Sequence, residues 1–201
     1  MLLLSRMGDG QGGTGEHEDW PAGRVLHFVR HGQYHAGEAG SGALTALGRK
    51  QAARLAVHFR HLPVVRIVSS DMPRAVETAE ILAKRLGMTC EGRQRVLREA
   101  LPTRVPGYEI PLQKRKEGSE RVERIVRRFF KSARATRHEV IVCHGNLIRA
   151  LVLRVTAGRC DGWFRLVVDH AGITSFHVSR RDVVLLGLNR QEHVPAALRS
   201  G

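Results

Sequence analysis

The chain has 201 residues, 42% of them hydrophobic and 5% aromatic, with a net charge of +14 and a pI near 11.2. That length suits one domain with a real core, built on Leu, Val, Ile and Ala rather than on rings. No run approaches the ~20 apolar residues of a membrane span, three cysteines without paired spacing argue against a disulfide framework, and the positive balance favours anionic ligands.

Residues 1–22 are glycine-rich and turn acidic at Glu16, Glu18 and Asp19. A flexible tail fits that composition better than secretory or mitochondrial targeting. A single domain is expected over residues 23–201, in a reducing, cytoplasmic setting. Val25 to Val29 reads as a buried strand that stops on Arg30, His31 and Gly32. Thr45 stands where a helix N-cap belongs, and Leu47, Leu55 and Phe59 share the face of a helix ending near His61. Val64 to Val68 is a second, β-branched strand. Ser70 or Asp71 is placed to cap the next helix, with Pro73 in its first turn and Gly87 as its stop.

Thr89 to Val96 reads as a third strand, and the segment holding Pro102, Pro106 and Pro111 as loop. After Gly118 the apolar residues Val122, Ile125, Val126, Phe129, Phe130 and Ala133 follow helical spacing. Glu139 to Cys143 is a further buried strand ending on His144, and Asn146 to Thr156 a helix. Trp163 to Val168, Ile173 to Val178 and Val183 to Leu188 read as closing strands, joined by turns at 169–172 and 179–182. Strands alternating with helices define an α/β sandwich, three layers deep, with a mostly parallel sheet and an antiparallel edge.

Four features then fall at or just beyond strand carboxyl ends: Arg30 with His31, Arg74, Glu99 and His144. In a parallel sheet those ends share one edge, where ligands of open α/β folds bind. Each residue alone has a bland reading as a cap or surface charge, but their joint placement points to phosphoryl transfer. Neutral His31 would attack phosphorus through one ring nitrogen while the other, hydrogen-bonded to backbone, fixes the tautomer. Arg30 and Arg74 offer planar forks for phosphate oxygens. His144 would be a cationic partner for a non-bridging oxygen. Glu99 would protonate the leaving alkoxide and then activate water. Substrate phosphate thus meets Arg30, His31, Arg74 and His144. No residues have convincing metal-ligand spacing; His31 and His35 are four apart, but Gly32 and the preceding strand argue against a helical metal pair.

These residues carry a family resemblance. Val29-Arg30-His31-Gly32 resembles the signature of the histidine phosphatase superfamily, the phosphoglycerate mutase-like family. The segments Leu44 to Ala52, Ser69 to Thr78 and Val142 to Arg149 are similar to its first-helix, second-arginine and second-histidine motifs. The resemblance implies that His31 is phosphorylated in turnover, that Glu99 is the proton donor, and that no metal or other cofactor is needed. The short segment between Glu99 and the Gly118 helix favours a phosphatase over a mutase. Gln33-Tyr34-His35, with Asp161 to Leu166 and the tail through Pro195, is similar to the serine/threonine protein phosphatase branch. A homodimer through the C-terminal edge is implied by resemblance alone, and no membrane anchor is carried over.

The expected partner is a phosphorylated substrate, either a phosphoprotein or a small phosphomonoester. A basic rim of Arg98, Arg104, Lys114, Arg115 and Lys116 would favour an acidic phosphopeptide. The rival from another class is a non-catalytic basic protein that binds phosphate or nucleic acid. No aromatic-interleaved basic stretch supports nucleic-acid binding, and that reading leaves the ordered motifs unexplained.

Overall fold

The computed structural model describes residues 21–37, 42–101, 109–156 and 165–201. Six strands form one sheet: β1 (Arg24–Arg30), β2 (Val64–Ser70), β3 (Arg93–Gln94), β4 (Arg137–Cys143), β5 (Ile173–Val178) and β6 (Val183–Arg190). Their order is β3-β2-β4-β1-β5-β6. The first four run parallel, while β5 and β6 add antiparallel partners to β1 and to each other. Among the described residues four α-helices complete the layers: α1 (Ala46–Phe59), α2 (Pro73–Leu86), α3 (Leu112–Phe129) and α4 (Gly145–Val155).

Period-two alternation along the strands feeds two separate cores. Leu26, Phe28, Val68, Ile141, Cys143 and Phe176 point to one face and pack with Ile125 and Phe129 of α3 and Leu147 and Leu151 of α4. Val29, Ile67, Val140, Val142 and Ile173 point to the other and meet Leu55 and Phe59 of α1 and Ala75, Ala79 and Leu82 of α2. A three-layer α/β architecture results, as the alternation of elements implies. Among the described residues no helix is long and apolar enough to cross a membrane.

Local chemistry sets the ends of the helices. Thr45 Oγ1 accepts from the Gly48 amide at 3.0 Å and caps α1. Gly87 closes α2 with φ of +66°, which costs glycine nothing. The expected caps of α2 do not act as caps. Met72 occupies the N-cap position without a side-chain bond, because Asp71 is turned to Arg98 and Ser70 to His144.

Three other expectations need correction. The third strand is two residues long: residues 89–92 form no strand, and a 3-10 turn over Arg95–Leu97 replaces its end. Helix α3 begins at Leu112, six residues before Gly118, and stops at Phe129, so Ala133 lies outside it. Gly118 is an interior position where a Cβ would meet the Leu101 backbone at 2.9 Å, which explains a glycine inside a helix. Of the strand expected over 163–168, residues 163 and 164 lie outside the described ones, and Arg165 to Val168 form no strand. The tail expected over 1–22 also falls almost wholly outside the described residues.

Candidate active site

The parallel strands β1, β2 and β4 end together, and the five anticipated side chains meet beyond that edge. His31 follows β1 and is buried. Its amide donates to Cys143 O at 3.0 Å, tying it to the end of β4. Its Nδ1 lies 2.8 Å from the Gly32 carbonyl, which can only accept, so Nδ1 carries the proton and Nε2 keeps its lone pair. That lone pair accepts from Arg74 Nε at 3.0 Å. Arg74 Nη2 reaches His144 Nδ1 at 3.2 Å, leaving the His144 Nε2 hydrogen to donate to Ser70 Oγ at 2.9 Å. One arginine therefore bridges both histidines, whose rings lie 5.2 Å apart.

Burial and the neighbouring cations outweigh the opposing contacts at both histidines. Burial, then His144 and the arginines, holds His31 well below the ordinary histidine range. Burial, then Arg74, pushes His144 down to about 3. His144 is thus neutral at pH 7 in this arrangement. Glu99 moves the opposite way. Burial raises its carboxyl above the ordinary range, although Oε1 accepts from the Leu147 amide at 3.0 Å in the first turn of α4. Arg30 anchors its guanidinium with Nη1 on Val168 O at 2.6 Å and Nη2 on His170 Nε2 at 3.0 Å, and its other N–H groups remain for an anion.

Several supporting residues had no role assigned from the sequence, although Tyr34 and Thr78 lie within its motifs. His170 belongs to what reads as a turn, yet it holds Arg30 and is itself held through Nδ1 by Ser200 Oγ at 3.1 Å. Its ring lies 5.7 Å from that of His31. The turn brings Ala171 to φ of +57° and lets its amide donate to Arg30 O. Tyr34 lies beneath Arg74, 4.5 Å from guanidinium carbon to ring centre, and edge-on to His31. Thr78 Oγ1 receives the Gly32 amide at 3.1 Å and donates to Arg74 O at 2.7 Å, coupling the two motifs. Gly32 serves packing: a Cβ there would lie 2.5 Å from the Gly48 carbonyl.

The anticipated basic rim is only partly assembled. Arg98 pairs with Asp71 through two bonds of 2.7 and 2.8 Å. Lys114 and Lys116 are exposed on the first turns of α3, and Arg104 lies outside the described residues. Among the described residues no three His, Cys, Asp or Glu side chains group as metal ligands would.

A carboxyl raised by burial, a neutral histidine with a directed lone pair and two arginine forks gather at one sheet edge, a set of groups suited to phosphoryl transfer. The comparisons agree with that class. The model of the histidine phosphatase superfamily (branch 1) matches residues 26–191, and the chain belongs to that family.

It is 30% identical over 171 residues to the mitochondrial serine/threonine-protein phosphatase PGAM5 of Homo sapiens, covering 79% of this chain and 59% of that one. With the Drosophila yakuba protein of the same name it shares 34% over 171 residues, covering 78% and 59%. The chain thus spans about three fifths of the length of these relatives. A Plasmodium falciparum phosphoglycerate mutase structure superposes with a TM-score of 0.61 at 24% identity, covering 87% of this chain and 96% of that one. A mycobacterial glucosyl-3-phosphoglycerate phosphatase gives 0.65 at 24%, covering 84% and 100%. Both show the fold.

Proposed function

We propose that the chain is a metal-independent phosphatase that hydrolyses phosphomonoesters, of serine and threonine residues in phosphoproteins above all, through a phosphohistidine on His31. The observation that carries this reading is the His31 tautomer. With Nδ1–H fixed on the Gly32 carbonyl, the Nε2 lone pair points into the cationic pocket shared with Arg74. The identity with the PGAM5 phosphatases supports the protein substrate.

The steps follow from the residues. Arg74 and Arg30 take the non-bridging oxygens as the phosphate enters. Nε2 of His31 forms a bond to phosphorus while the bond to the leaving oxygen breaks. Glu99, whose hold on a proton burial strengthens, gives that proton to the alkoxide. Glu99, now ionised, takes a proton from the incoming water, whose oxygen attacks phosphorus and releases the P–N bond. Inorganic phosphate leaves and neutral His31 is restored. His144 shares Arg74 with His31 and stabilises the oxygen charge once it is protonated.

The test is turnover of p-nitrophenyl phosphate in EDTA by wild type and His31→Ala. Steady activity is expected from the first and background only from the second, with an acid-labile phosphoryl group trapped on the wild type alone. Equal activity in both proteins refutes the mechanism. Comparing serine and threonine phosphopeptides with small phosphorylated metabolites at matched concentrations then assigns the substrate class.

A further inference from the structure

Beside Glu99 the surface opens into a pocket of about 580 Å³ lined by Arg95, Val96, Arg98, Arg121, Arg124 and Arg128. Two elements build it. Arg95 and Arg98 flank the 3-10 turn before Glu99, three residues apart and so on one side of it. Arg121, Arg124 and Arg128 recur at helical spacing along one face of α3, which packs against that turn. Asp71 answers Arg98. Among the described residues, Arg95, Arg121, Arg124 and Arg128 form no ion pair with an acid, and Arg121 feels the repulsion of Arg124 and Arg98 on top of its own burial.

Such a cluster is more than a solvated helix face, because its charges converge on a concavity instead of spreading into water. It is also joined to the catalytic edge. Arg121 Nη1 donates to the Glu99 carbonyl at 2.5 Å, and Asp71, which holds Arg98, directly follows the Ser70 that contacts His144.

We propose that this arginine pocket is a second binding site, which takes the carboxylate or phosphate side chains flanking the scissile residue of an acidic phosphopeptide. The assignment rests on the phosphatase reading above and names the substrate feature that reading leaves open. Guanidinium forks match carboxylate and phosphate oxygens two at a time. A peptide is favoured over nucleic acid because no aromatic ring lines the pocket on which a base would stack. A peptide reaching from Glu99 into the pocket places its second anion on Arg124 and Arg128 while the phosphate lies at His31. Occupation also pulls on Arg121, and through it on the backbone of the acid.

The test is charge reversal at two exposed positions, Arg124→Glu with Arg128→Glu. Three substrates are compared: a phosphoserine peptide with acidic flanks, the same peptide with neutral flanks, and p-nitrophenyl phosphate. The ratio of kcat/KM for acidic over neutral peptide is expected to fall at least tenfold in the double variant. A parallel fall on all three substrates, or an unchanged ratio, overturns the proposal.

Binding is measured separately by fluorescence anisotropy of the labelled acidic phosphopeptide on His31→Ala protein, with and without the double reversal. Loss of binding on reversal supports the pocket even if no protein turns over any substrate, an outcome that would sink the phosphatase reading alone. Undiminished binding sinks the pocket. Competition by a single-stranded oligonucleotide of equal charge, at or below the concentration at which acidic peptide competes, overturns the peptide assignment.

Discussion

Binding of a phosphate-like dianion should draw one proton onto His144. In the structure its ring is neutral, with Nδ1 accepting from Arg74 and burial pushing it down to about 3. Protonating it at pH 6 therefore costs three pH units, about 4 kcal/mol. A dianion placed about 4 Å away returns about 4 kcal/mol per charge at the effective dielectric of a partly buried site, about 8 kcal/mol in all. The gain exceeds the cost, so anion and proton bind together. The cation that phosphoryl transfer needs is supplied by the substrate's arrival.

Tungstate, dianionic across this range, is a suitable probe in isothermal titration calorimetry. Repeating the titration at pH 6 in buffers of different ionisation enthalpy gives proton uptake as the slope of observed heat against buffer enthalpy. A slope near one proton per tungstate is expected, retained in Glu99→Gln and lost in His144→Gln. Since uptake is linked to binding, affinity should also weaken about tenfold for each pH unit over which uptake is complete. A slope of zero in wild type refutes the reasoning. A slope abolished by Glu99→Gln and kept in His144→Gln would assign the proton to the carboxylate instead.

Gly48→Ala should destabilise the domain by roughly 2–3 kcal/mol, because the added Cβ falls on the Gln33 backbone and must push α1 off the segment after β1. Chemical denaturation measures that loss, and p-nitrophenyl phosphate turnover should drop with it because the Gly32 carbonyl fixes the His31 tautomer. Acid should destabilise the fold between pH 6.5 and about 4. Burial pushes both His170 and His193 down to about 4, so within that window the unfolded chain binds protons that the folded one does not. Stability from these groups is complete above the unfolded value and lost as the pH falls, on the order of 3 kcal/mol each. Denaturation midpoints at pH 7 and 4.5 check this, and His193→Asn should flatten the dependence.

The parts legible in the sequence were those fixed by short-range patterns. Apolar runs that end on polar residues located β1, β2 and β4, and parallel topology then carried Arg30, His31, Arg74 and His144 to one edge. Glu99 reached the same edge by a different route, from a 3-10 turn and not from a strand end, because only Arg93 and Gln94 pair with β2. His170 was illegible for a topological reason. It precedes β5, which runs antiparallel to β1, so the start of β5 meets the end of β1. Reading 169–172 as a plain turn concealed that its residues face the site. The arginines of α3 followed helical spacing openly, but whether they faced water or a pocket depended on the turn at 95–97, a long-range fact.

The charges at the site explain why neutral histidines stand among arginines. Arg30 and Arg74 both act on the buried Glu99, and each needs acceptors that do not cancel its charge. A carboxylate would serve as an acceptor but would compete with phosphate. A neutral imidazole accepts the N–H and leaves the positive charge intact, as His170 does for Arg30 and His31 and His144 do for Arg74. In the proposed mechanism the arrangement also guards the nucleophile, since Arg74 Nε occupies the His31 lone pair that would attack phosphorus. An incoming phosphate offers Arg74 stronger, charge-assisted bonds. Its transfer from the ring nitrogens to the phosphate oxygens frees Nε2 of His31 and vacates Nδ1 of His144 for a proton in the same motion. On the proposed mechanism, activation of the nucleophile and creation of the cation are therefore one event, triggered by the ligand that needs both.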